Sequence, residues 1–159
     1  GSARAMADAR AMSRGLRPPE LDQLGITEAL RWLADAVSQS FTGRLTASIQ
    51  DVDGLLPRDA ELHVYRIVQE ALHNATRHSA AAEVTIEVSA PARTLEISIF
   101  DNGRGFILPT PSDHPAGHGL RSMRARAVII SGTLEITSEP HVGTRLTLVV
   151  PPAPTSPSP

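Results

Sequence analysis

Cysteine and lysine are both absent from this 159-residue chain. Without cysteine there is no disulfide, no thiol nucleophile and no thiolate metal site. Without lysine, every site that needs a cation must use arginine. Aromatic residues make up 3% of the chain, and a formal net charge of -2 leaves no positive field to draw it to nucleic acid. No apolar run approaches the about 18 residues that would span a bilayer, so no membrane contact is expected of this segment. The opening GSARAMADAR lacks the apolar core of a signal peptide, and Gly1-Ser2 reads as a cloning scar on a piece of a longer protein.

What is present has a clear order. Residues 3–14 have a helical look and end at the breaker cluster Gly15-Leu16-Arg17-Pro18-Pro19. A second helix is expected from Thr27, a good N-cap, to about Phe41. Arg44 to Ile49 alternates as a strand, and Asp51-Val52-Asp53-Gly54 is a turn, since later ligands of a calcium loop are missing. Strands are expected at Val84–Val88 and Leu95–Phe100, joined through Ala90-Pro91-Ala92, and again at Leu134–Thr137 and Thr144–Val150. A helix covers roughly Leu120–Ile130 and stops at Gly132. Residues 102–118 read as a long functional loop, and the Pro/Ser-rich tail 152–159 cannot build a core. This order predicts an α+β two-layer sandwich, a mixed sheet packed on about three helices.

The stretch ELHVYRIVQEALHNATRHS, residues 61–79, carries the chemistry. At about 100° per residue, Tyr65, Ile67, Val68, Ala71, Leu72 and Ala75 share one face of a helix, and Arg66, Glu70, His73, Asn74 and Arg77 share the other. Taken alone this is an ordinary amphipathic helix. Its three histidines point in separate directions, so they cannot converge on one ion, and no second Glu-x-x-His exists for a di-iron site. Glu61-Leu62-His63 resembles a phosphoacceptor core, but Val64 stands where an acid belongs. Glu70 and Asn74, at i and i+4, form a pair of hard oxygen donors suited to Mg²⁺, and Arg77 places a cation where phosphates would lie.

Two glycine segments complete the pattern. Asp101-Asn-Gly103-Arg-Gly105-Phe106 ends a strand with an acid able to accept from an exocyclic amine, and its glycines let backbone lie against a flat ring. Gly117-His118-Gly119-Leu120 opens a helix whose free N–H groups suit phosphate. Gly143-Thr144 offers one more close backbone approach. Each segment alone is compatible with a plain turn.

Together, in this order, these segments resemble the catalytic ATP-binding domain of bacterial two-component sensor histidine kinases, within the GHKL or Bergerat-fold superfamily. The resemblance covers about residues 44–151. Leu16-Arg-Pro-Pro-Glu-Leu-Asp-Gln-Leu-Gly25 and Met123-Arg-Ala-Arg-Ala127 are similar to kinases that signal to NarL/LuxR-type response regulators. Ala125 stands where that group often has glutamate, and Ser131 precedes Gly132 where a second glycine is usual.

The resemblance implies Mg²⁺ and ATP as cofactors, with Asn74 as metal ligand and Glu70 as metal ligand or general base. Arg77 and His78 would contact phosphate, and Asp101 the adenine amino group. Gly103, Gly105 and Phe106 would flank the ring, and Gly117, His118, Gly119 and Leu120 would line the phosphates. Residues 107–116 would form a lid, and Thr144 would support Asp101. The implied division is 1–2 scar, 3–25 the end of a dimerisation helix and linker, 26–151 the catalytic domain and 152–159 tail. The expected activity is γ-phosphate transfer to a histidine on an upstream dimerisation domain, in the cytoplasm. An anti-sigma-factor-type serine kinase and a degenerate nucleotide-binding module are the rival readings.

Overall fold

The structure is a computed structural model that describes residues 18–77, 80–104 and 118–152. The expected helix over 3–14, His78, Gly105, Phe106, the segment 107–116, Gly117, the His118 side chain and residues 153–159 lie outside the described residues.

Helix α1 runs Pro19–Ser40 with a break at Gly25, where φ is 80°. The helical turns therefore begin eight residues before Thr27. Pro19 is read in sequence as a breaker, but at the first helical position its missing N–H costs nothing. Leu21 is buried in the same core as Ile26, Leu30 and Leu33. The chain resumes as helix directly after Gly25, and the turn Asp51–Gly54 docks on Thr27. Asp53 Oδ1 accepts from the Thr27 backbone N–H at 3.0 Å and from its hydroxyl at 2.8 Å. The Thr27 hydroxyl oxygen accepts from Val52 N–H at 2.9 Å. Thr27 is thus capped from outside rather than by its own side chain.

Strand β1 (Arg44–Ile49) follows, then helix α2 (Arg58–Arg77), β2 (Glu83–Ser89), a 3-10 turn at Pro91–Arg93 and β3 (Leu95–Asp101). Helix α3 (His118–Ile129), β4 (Thr133–Glu139) and β5 (Gly143–Val150) complete the described chain. The sheet order is β1-β2-β3-β5-β4, with β1 and β2 parallel and the other pairs antiparallel. The expected α+β arrangement of three helices and one mixed sheet is the one found. No helix among the described residues is long and apolar enough to cross a membrane.

Alternation builds the core. Val84, Ile86 and Val88 of β2, Leu95, Ile97 and Ile99 of β3, Leu134 and Ile136 of β4, and Leu146, Leu148 and Val150 of β5 are buried on one face. Against it lie Val64, Tyr65, Ile67, Val68, Ala71, Leu72 and Ala75 of α2. These include every residue the helical periodicity placed on that face. Burial pushes the Tyr65 phenol up to about 12. The opposite sheet face is polar, with the Arg145 guanidinium 5.2 Å from the centre of the Phe100 ring.

Helix α3 ends in a Schellman motif. Gly132 N–H donates to Ala127 O at 2.8 Å and Ser131 N–H to Val128 O at 3.1 Å. Ser131 then takes φ 57°, the left-handed region that disfavours a β-carbon. This gives a physical reason for glycine being usual at that position. Ser131→Gly is expected to raise stability by about 1 kcal/mol in urea unfolding. An unchanged or lowered midpoint would contradict that account.

Candidate functional site

The apolar rows of the sheet do not run to its end. On β3 the row Leu95, Ile97, Ile99 continues to Asp101, and on β5 the row Val150, Leu148, Leu146 continues to Thr144. On β4 the row Leu134, Ile136 continues to Ser138. Asp101 pairs across the ladder with Thr144, and Thr144 with Ser138, so three polar side chains form one lateral row. Asp101 is 5% exposed, and its Oδ1 accepts from Gly103 N–H at 3.0 Å. The Thr144 and Ser138 hydroxyls lie 2.8 Å apart.

The turn after Asp101 is held on both sides. Asn102 Oδ1 accepts from the N–H groups of Ala82 at 3.0 Å and Glu83 at 2.8 Å, which ties it to the start of β2. Arg104 O accepts from His141 N–H at 2.7 Å, from the β4–β5 turn. Gly143 has φ 139°, and a β-carbon there would collide with the carbonyl oxygen of Asp101. Asn102 and Ser138 escaped the sequence reading. The turn propensity of Asp-Asn-Gly and the period-2 row through Leu134 and Ile136 were the available signals.

Helix α2 ends at Arg77, shortly before β2 begins, and Val84 near that beginning pairs with Asp101. The C-terminal half of α2 therefore lies at the Asp101 end of the sheet. There Glu70 and Asn74 are half-buried while His73 and Arg77 are exposed. Helix α3 arrives at the same place. A β-carbon on Gly119 would collide with Glu70 Oε1 and stand 3.5 Å from Asn74 Nδ2. Leu120, next along, packs on the edge of the core. The Glu70 carboxylate and the Asn74 side-chain amide thus lie close against the opening turn of α3.

The structure brings Glu70 and Asn74 to Gly119, and Asp101 to Gly103 and Thr144. Arg77 sits exposed at the end of α2. His63 Nδ1 lies 3.0 Å from Arg126 Nη1, and His73 is exposed. Among the described residues no group of three or more His, Cys, Asp or Glu is placed to hold a metal ion. Burial first, then Arg126, lowers the His63 pKa from its ordinary value, with Asp59 opposing. Because Gly143 lies in backbone contact with Asp101, Gly143→Ala is expected to destabilise the fold by about 2–4 kcal/mol in chemical denaturation. A loss within about 0.5 kcal/mol would show that the approach is slack.

Comparison with known proteins identifies the family. Residues 59–154, more than half of the chain, match the family described as histidine kinase-, DNA gyrase B-, and HSP90-like ATPase. The chain is 35% identical over 142 residues to the sensor histidine kinase LiaS of Bacillus subtilis, covering 89% of this chain and 38% of that protein. It is 34% identical over 142 residues to the sensor protein VraS of Staphylococcus epidermidis, covering 89% of this chain and 40% of that one. The chain thus spans less than half the length of these relatives. The fold resembles the histidine kinase domain of a blue-light activated histidine kinase from Erythrobacter litoralis. That match has a TM-score of 0.67 and 22% identity, over 79% of this chain and 64% of that one. The histidine kinase AdeS of Acinetobacter baumannii matches with a TM-score of 0.59 and 18% identity, over 79% and 62% of the two chains. The chain belongs to the histidine kinase-, DNA gyrase B- and HSP90-like ATPase family and is homologous within it to sensor histidine kinases.

Proposed function

We propose that the chain is the Mg·ATP-binding catalytic domain of a sensor histidine kinase, and that it presents the γ-phosphate to a histidine on a dimerisation domain. The observation that carries this reading is the contact of Gly119 with Glu70 and Asn74, at the sheet end where Asp101 is buried. A recessed carboxylate at the end of an apolar row suits the amino edge of adenine. An oxygen-bearing helix face beside the first turn of another helix suits a metal-bound phosphate chain.

The donor set fits Mg²⁺, because Glu70 and Asn74 supply hard oxygens one turn apart and leave room for water and phosphate oxygens. Bound there, the metal would neutralise phosphate charge. Asn74 would hold it, and Glu70 would share that task or accept the proton from the incoming imidazole. Arg77, with His78, would contact phosphate from the end of α2. Gly103, Gly105 and Phe106 would flank the adenine, while Gly117, His118, Gly119 and Leu120 would line the phosphates. Thr144, bonded to Ser138, would support the floor beside Asp101.

In the transfer, a histidine nitrogen attacks the γ-phosphorus as the bond to the β-phosphate oxygen breaks and ADP leaves. Positioning and charge neutralisation do most of the work. Relay to a response regulator, of the NarL/LuxR type given the Met123–Ala127 segment, and a cytoplasmic location belong to the same proposal.

Titration with a fluorescent ATP analogue tests the pocket. Asp101→Ala is expected to lose about tenfold or more in affinity with or without Mg²⁺, and Asn74→Ala to lose chiefly the Mg²⁺-dependent part. Equal binding by both variants and the parent chain would overturn the assignment. Incubated alone with labelled ATP, the chain is expected to form no acid-labile phosphohistidine. Robust labelling would show that it carries its own acceptor.

A further inference from the structure

Helix α3 is lightly held. Of its side chains only Met123 and Ala127 are buried among the described residues, with Leu120 partly so. It also makes a polar contact with α2, in which Arg126 Nη1 lies 3.0 Å from His63 Nδ1. A guanidinium can only donate, so Nδ1 must offer its lone pair and the neutral ring carries its proton on Nε2.

The position of this contact matters. His63 precedes Glu70 by seven residues on α2, and Arg126 follows Gly119 by seven residues on α3. Two contacts, each between α2 and α3, therefore sit about 10 Å apart along one antiparallel seam, two turns from each other. Whatever shifts α3 at Arg126 shifts the helix whose first turn rests on Glu70 and Asn74.

The charged groups around the His63 ring are few. Asp59 faces it from one turn earlier on α2, Arg126 faces it from α3, and Arg66 from the next turn of α2 acts on Arg126. A cleft of about 340 Å³ beside the ring is lined by Leu56, Pro57, Ile129, Val150 and their neighbours, and apart from His63 itself only Asp59 among them has a titratable side chain. A protonated His63 would place a second cation against Arg126, which already feels Arg66, with the Asp59 carboxylate to offset it.

We propose that His63 and Arg126 form a proton-sensitive positioning pair, which seats Gly119 against Glu70 and Asn74 and loosens when His63 takes up a proton. The consequence for nucleotide binding rests on the Mg·ATP reading above. The depressed His63 pKa has the matching sign. A ring that is harder to protonate when folded gives stability that is complete above the ordinary value of 6.5 and is lost as pH falls through it toward the lower folded value.

Affinity for the fluorescent ATP analogue with Mg²⁺, measured at about pH 7.5 and about pH 5.5, tests the pair in the full chain and in His63→Gln. Glutamine keeps an acceptor oxygen and does not titrate. The parent chain is expected to lose about threefold more affinity over that interval than the variant. Equal losses would overturn the proposal. Nucleotide-free NMR gives a second arm. The Gly119 amide signal should move with the His63 titration, and Arg126→Gln should raise the His63 midpoint. A Gly119 signal that ignores His63 would overturn the pair. Absence of nucleotide binding at both pH values would sink the Mg·ATP reading instead, and the Gly119 titration would still decide the pair.

Discussion

A carboxylate buried at the end of an apolar row is the constraint on which this structure turns. Taking a charge out of water costs several kcal/mol unless hydrogen bonds replace the lost hydration. Asp101 accepts such a bond from Gly103 N–H, and the chain around it is arranged to keep that turn in place. Asn102 ties the turn to β2, Arg104 O receives the β4–β5 turn, and Gly143 lets β5 begin in contact with the Asp101 backbone. The row through Leu95, Ile97 and Ile99 fixes which way the carboxylate faces. The same alternation that makes the core therefore aims Asp101 at its open end.

The second wall depends on two helices meeting in register. Among the described residues, helix α2 is anchored by seven buried side chains and α3 by two. A strongly held helix carries Glu70 and Asn74, and a weakly held one brings Gly119 to them. Glycine lets them meet without displacing a side chain, since a β-carbon at 119 would push the Glu70 carboxylate aside. This asymmetry fits the proposed pocket, in which the phosphate side would adjust while the adenine side stays fixed. It also explains why a single polar contact, His63 to Arg126, carries weight at the far end of α3.

Much of this was legible from residue order. Period-2 and period-3.6 patterns located the strands and both long helices, and Glu70, Asn74 and Asp101 stood out by chemistry and spacing. The parts that escaped depend on partners distant in the chain. Pro18-Pro19 looked like an interruption because nothing local says that Leu21 will be buried beside Ile26. Thr27 looked like a self-sufficient cap, while its partner is Asp53. His63 drew notice only for its likeness to a phosphoacceptor core, and its partner Arg126 comes from α3. The unusual Ser131 was visible as a departure from the family pattern, but its cost became clear only from its positive φ.

The most direct test of the central claim is to follow backbone amide NMR signals of the full chain as Mg·ATP is added. Changes should concentrate at Asn74, at residues 101–104 and at Gly119, with β1 and the Val128–Ile129 end of α3 little affected. Changes centred instead on the cleft beside His63 and Val150, or none at saturating nucleotide, would contradict it.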